Sequence, residues 1–162
     1  MTPRVYLASP LGFTEAGRHW AATVYVPAVR AAGFEPADPW APSGAVDAML
    51  AADRTPGPDR IERLAAANDA VAAANVALID GSHGMLAILD GTDVDSGTAA
   101  EVGYASARGI PIVGLRTDVR TSGDNDGSIV NLQVEHFITR TGGGVHTSLD
   151  AALADLRALV RG

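Results

Sequence analysis

At 162 residues, 47% hydrophobic and 19% charged, the chain is long and apolar enough to bury one core, which excludes intrinsic disorder. Its net charge of −7, with no basic run, argues against binding a nucleic-acid backbone. All 12 basic residues are arginine and there is no cysteine, so Schiff-base and phosphate-loop lysines, disulfides, thiolate nucleophiles and cysteine metal sites are all excluded.

Met1-Thr-Pro-Arg-Val-Tyr-Leu-Ala8 enters a strand pattern directly, without the charged-then-apolar profile of a signal peptide. No apolar run approaches the roughly 20 residues that span a bilayer. A cytoplasmic protein without membrane association is the expectation. Arg4 to Ala8 reads as the first strand, stopped by Ser9-Pro10-Leu11-Gly12. Thr14 to Ala32 reads as a helix bent at Pro27, with Trp20, Val24, Ala28 and Ala31 on its buried face. Phe34 to Asp38 is a short second strand. Pro39 to Pro58 is a long excursion with one helical turn around Val46 to Ala52, the kind of connection that forms lids and binding loops.

Arg60 to Asp80 is an alanine-rich helix, and Gly84 to Asp90 a continuous apolar strand of the central parallel type. Thr98 to Arg108 is a helix stopped by Gly109 and Pro111, and Ile110 to Leu115 is the fourth strand. Asp118 to Ser128 is a polar, mobile loop. Asn131 to Phe137 is open between helix and strand, with Glu135 to Thr139 as the fifth strand. Gly142-Gly-Gly144 is a turn, and Ser148 caps a last helix with Leu149, Leu153, Leu156 and Val160 on one face. Alternation of strands and helices predicts a single α/β domain over residues 1–162, a doubly wound sheet of about five parallel strands with helices on both faces.

The chemistry concentrates where the apolar run Met85 to Leu89 breaks into acids and glycines. Open α/β sheets hold ligands in that crevice, at the carboxyl ends of the strands. Asp95 and Glu101 arrive there together, and paired carboxylates suit reaction at the anomeric carbon of a sugar. A structural alternative exists for each. Thr98 to Glu101 has the spacing of a capping box. Asp90, Asp93 and Asp95 could be turn formers, or could suggest Mg²⁺ or Ca²⁺, although their spacing fits no calcium loop. A helix N-terminus would favour the ionised form of Glu101, the state a nucleophile needs. Gly97 and Gly103 permit close approach of a ligand and of the sheet. His19, His83, His136 and His146 have no mutual metal-binding spacing. Tyr6 and Phe13 stand at or just after the end of the first strand, and a buried Tyr6 hydroxyl would need a partner such as a crevice carboxylate.

Five segments together resemble the nucleoside 2-deoxyribosyltransferase family. They are Val5-Tyr-Leu-Ala-Ser-Pro-Leu11, Ala74-Asn75, Leu86-Ala-Ile-Leu-Asp-Gly91, Asp95-Ser-Gly-Thr-Ala-Ala-Glu-Val-Gly-Tyr-Ala105 and Val130-Asn-Leu132. They occur in the family's order across most of the chain, and the fourth is the most specific. The resemblance implies a flavodoxin-like fold and exchange of the base on 2′-deoxynucleosides, with free nucleobases as partners and no metal or other cofactor. It makes Glu101 the nucleophile, Asp95 the base contact and proton handler, and Tyr6 the residue that orients the nucleophile. Asn131 would serve the sugar hydroxyls of a neighbouring subunit. Asn75 lies where some members carry an aspartate near the base, and Gln133 where some carry a methionine. Ser9, Phe13 and Gly97 complete the expected substrate contacts. A homo-oligomer with shared sites follows, either a dimer or a trimer of dimers. A related activity to be weighed is hydrolysis of 2′-deoxynucleoside 5′-monophosphates, for which Ser9 and Gly12 could help hold a phosphate; so is a loosely similar phosphoribohydrolase, and a non-catalytic nucleotide-binding domain.

Overall fold

The computed structural model describes residues 2–161. Its centre is a five-stranded parallel sheet in the order β2-β1-β3-β4-β5. The strands are β1 (Arg4–Ala8), β2 (Glu35–Ala37), β3 (Gly84–Ile88), β4 (Ile112–Leu115) and β5 (Val145–His146). This is the flavodoxin-like order, which reverses direction between β1 and β3 and so opens a crevice above them. The three inner strands are apolar on both faces, as a covered parallel sheet requires.

Side chains alternate between two cores. Tyr6, Ala8, Met85, Ala87 and Leu89 point to one face and pack with Ile79, Val102, Ala105, Val134 and Ile138. Those partners come from α4 (Arg60–Asp80), α5 (Ser96–Ala107) and α6 (Leu132–Thr139). Val5, Leu7, Leu86, Ile88, Val113 and Leu115 point to the other face, against Tyr25, Val29, Leu153 and Leu156. There the cover is α1 (Glu15–Trp20), α2 (Val26–Ala31) and α7 (Leu149–Arg161). No helix among the described residues is long and apolar enough to cross a membrane.

Several expectations are corrected. The bend at Pro27 takes the form of a wide turn over Ala21–Tyr25 that joins α1 to α2. Pro27 has no N–H to donate, and the Val26 N–H reaches back to the Ala21 carbonyl, five residues away. The extra residue in that turn shifts the phase of the buried stripe. Tyr25, Val29 and Ala32 are buried, whereas Val24 is 44% exposed and Ala31 also faces outward. The excursion after β2 holds a full helix, α3 (Gly44–Arg54), capped by the Ser43 hydroxyl on Val46 N–H. The segment 135–139 is helical, within α6, and the fifth strand is instead the two-residue Val145–His146.

Candidate active site

Asp95, and not Thr98, caps α5. Its Oδ2 accepts the Thr98 backbone N–H at 2.9 Å and the Thr98 hydroxyl at 3.3 Å. The capping-box reading of Glu101 therefore fails: Glu101 lies six residues beyond the cap, in the second helical turn. Thr98 and Val102 are buried on the sheet side of α5, and Glu101 stands beside them above β1. Its Oε1 accepts the Tyr6 hydroxyl at 2.6 Å. The sheet imposes this contact. Tyr6 pairs with Met85 in the β1–β3 register and projects onto the face that α5 covers.

Glu101 is not held ionised by the helix N-terminus, as the sequence suggests. Burial pushes its carboxyl up to about 7; the Tyr6 hydrogen bond pulls it down and the Asp95 carboxylate pushes it up further. Desolvation outweighs the helix dipole because Glu101 stands beyond the first turn, where the dipole field has decayed. Burial, followed by the adjacent Glu101, raises Tyr6 far above an ordinary phenol. Tyr6 is consequently a permanent donor, and Glu101 is poised to change charge near neutrality.

Ser9, Phe13, Asn75, Asp95, Gly97 and Glu101 all line a single cavity of about 280 Å³. That volume is at the small end of ligand pockets, about 300–1,000 Å³. Two larger hollows, of about 460 and 470 Å³, contain neither Asp95 nor Glu101. Asn131 and Gln133 stand apart from the cavity within the chain. Asn131 caps α6, its Oδ1 accepting from Gln133 N–H at 3.1 Å and Val134 N–H at 3.4 Å.

Trp40, Val46, Met49 and Val71 also line the cavity, and sequence reasoning did not single them out. Trp40 follows β2 by three residues, at a strand's carboxyl end, and that position is the signal that could have found it. Its indole N–H donates to the Ser9 carbonyl at 2.9 Å, and its ring meets Phe13 edge-on at 4.6 Å. A Cβ at Gly12 would lie 2.0 Å from the Trp40 ring, so only glycine lets the indole lie there. Phe13 and Trp40 form an exposed aromatic lip, suited to the face of a planar ring. Among the described residues no three or more histidine, aspartate or glutamate side chains cluster so as to hold a metal.

The arrangement joins a half-buried carboxylate with a fixed hydroxyl donor, a second carboxylate and an aromatic wall. Comparison with known proteins points the same way. No curated protein matches the chain. Among solved structures it is similar to a conserved protein from Enterococcus faecalis V583, at 25% identity and a TM-score of 0.72, covering 98% of this chain and 99% of that one. It is similar in fold to a 2-desoxiribosyltransferase from Leishmania mexicana, at 22% identity and a TM-score of 0.64, covering 98% and 97%. The 2-deoxyribosyltransferase of the psychrotolerant bacterium Bacillus psychrosaccharolyticus gives 21% identity and a TM-score of 0.62, covering 96% and 95%. The nucleoside 2-deoxyribosyltransferase family model matches residues 5–133, and the chain belongs to that family.

Proposed function

We propose that the protein transfers the 2-deoxyribosyl group between nucleobases of 2′-deoxynucleosides by a retaining double displacement. The observation that carries this reading is the 2.6 Å bond from the Tyr6 hydroxyl to Glu101 in a cavity that also presents Asp95. In the first step a Glu101 oxygen forms a bond to the anomeric carbon while the bond to the base breaks. The electron pair of that broken bond leaves with the base, which takes up a proton through Asp95. Asp95 Oδ2 is engaged by Thr98, and Oδ1 accepts no hydrogen bond among the described residues, so it is available to the base. In the second step an incoming base attacks the deoxyribosyl ester and releases Glu101, its proton passing to Asp95. Water in place of a base gives slow hydrolysis. The chemistry requires no metal or other cofactor.

A free 5′-hydroxyl fits the cavity better than a 5′-phosphate. Among the described residues no arginine lines it, Trp40 covers Gly12, and a phosphate would face two carboxylates. The test is incubation with 2′-deoxyinosine and adenine. Formation of 2′-deoxyadenosine and hypoxanthine supports transfer. Release of free deoxyribose alone, or turnover of the 5′-monophosphates in preference, argues for the hydrolase, and binding without turnover for a sensor.

Glu101 must be ionised to attack, and burial raises it to about 7 in the free enzyme. Log kcat/KM is therefore expected to fall with unit slope as pH drops below about 7. An acid limb near the ordinary carboxylate value would contradict the assignment.

The site is proposed to be completed by Asn131 from a neighbouring subunit, in a cytoplasmic homo-oligomer, a dimer or trimer of dimers, acting in nucleoside salvage. Asn131 stands apart from its own chain's cavity, beside exposed Ile129 and Leu132. Of the 21 residues of α4 only Ala67 and Ile79 are buried, which leaves a small-residue face for a partner. Light scattering should give a mass well above 16.6 kDa. Mixing inactive Glu101→Ala with inactive Asn131→Ala should restore part of the activity, because some sites then receive both intact residues. A mixture that stays inactive despite proven subunit exchange would refute sharing.

A further inference from the structure

Arg116, at the carboxyl end of β4, is 3% exposed. Among the described residues it forms no ion pair. Its guanidinium spends its donors on backbone carbonyls. Nη1 donates to Leu89 O at 2.5 Å, and Nη2 to Gly91 O at 3.1 Å and Arg120 O at 2.7 Å. A buried cation without a carboxylate is a costly element. The sheet does not need it, since Leu89 N–H already bonds Leu115 O at 2.9 Å. What the fork adds is a clamp between the turn after β3 and the loop after β4.

The clamp has a second strand of bonds. Asp90 accepts Thr117 N–H at 2.5 Å, the Thr117 hydroxyl at 2.7 Å and Asp118 N–H at 2.8 Å. Gly91 N–H returns to Asp118 Oδ2 at 3.2 Å, and Asp118 is itself paired with Arg120. Gly91 adopts φ +129°, a conformation that leaves this turn without the guidance a side chain would give. From Gly91 only three residues lead to Asp95, the cap of α5. Buried Val94 holds the far end of the turn in the core. Lysine lacks the rigid fork by which two separate guanidinium nitrogens reach these three carbonyls.

We propose that Arg116 is a positioning residue for base release: by fixing the turn at Leu89 to Gly91 it sets the placement of the Asp95 carboxyl over the leaving base. This rests on the transferase reading given above. A misplacement on the order of 1 Å at a reacting group can cost about 100-fold. Arg116→Ala is accordingly expected to lower kcat about 10- to 100-fold, with KM for the acceptor base little changed. The loss should be greater for a natural base than for a base of low pKa, which needs less protonation.

The decisive form is a double-mutant cycle with Asp95→Asn, in which coupled residues fail to add. If Arg116 acts through Asp95, Arg116→Ala should cost much less in the Asp95→Asn background than in the wild type. Arg116→Lys keeps the charge without the fork and carries the same cycle if the alanine variant does not fold. Equal losses in both backgrounds, or wild-type kcat in a folded variant, would overturn the proposal. Absence of transfer in the wild-type protein would instead overturn the reading on which it rests.

Discussion

Glu101→Ala is expected to abolish base exchange, by at least about 10⁴-fold, while the protein remains folded. The structural alternative has been removed, since Asp95 and not Thr98 caps α5 and, among the described residues, Glu101 bonds no backbone group there. The same residue carries a stability signature. Its folded carboxyl is raised from 4.5 to about 7, so ionising it opposes folding. The wild type should lose stability as pH rises from about 4.5 to about 7, by a total on the order of 3 kcal/mol, and then level off. Glu101→Gln keeps an acceptor for the Tyr6 hydroxyl and cannot ionise. It should match the wild type below about pH 4.5 and exceed it in stability above about pH 7. Denaturant titration at both ends of that range measures the difference. A folded Glu101→Ala protein with near-wild-type turnover would end the nucleophile assignment.

Asp95→Asn should slow transfer of natural bases by about 10²–10⁴-fold, the usual worth of general acid–base help. Asparagine is as good an N-cap as aspartate, so α5 should stay intact and the loss is chemical. Asp95→Ala removes the cap as well, at about 1 kcal/mol. The informative comparison uses two donors, one with a natural base and one with a base of low pKa. A leaving base that needs no proton should be released almost normally by Asp95→Asn. Equal slowing of both donors would show that Asp95 does not deliver the proton.

The position of the Asp95 and Glu101 carboxylates was legible because strand endings are legible. Met85 to Leu89 is a buried central strand, and α/β geometry puts whatever follows it at the ligand crevice. The Tyr6–Glu101 contact needs more than strand endings: Tyr6 lies mid-strand in β1, and it is the pairing with β3 that turns it toward α5. The charge state of Glu101 was not legible, because it depends on how deeply α5 is buried, a tertiary quantity. The walls Trp40, Val46 and Met49 come from the long connection after β2, whose path no periodicity constrains. The helix face around Val24 was misplaced because one extra residue in a turn rotates every position after it. Val145–His146 is too short to carry an alternating pattern, and only its pairing with Gly114 and Leu115 marks it as a strand.

The most direct test of the mechanism is to trap the intermediate. The protein is mixed with 2′-deoxyinosine in the absence of an acceptor base, quenched in acid, and examined by intact and peptide mass spectrometry. The account predicts a mass increment of one deoxyribosyl group, confined to the peptide containing Glu101, lost on adding adenine with formation of 2′-deoxyadenosine. Rapid transfer with no protein adduct at any time, or an adduct on another residue, would contradict it.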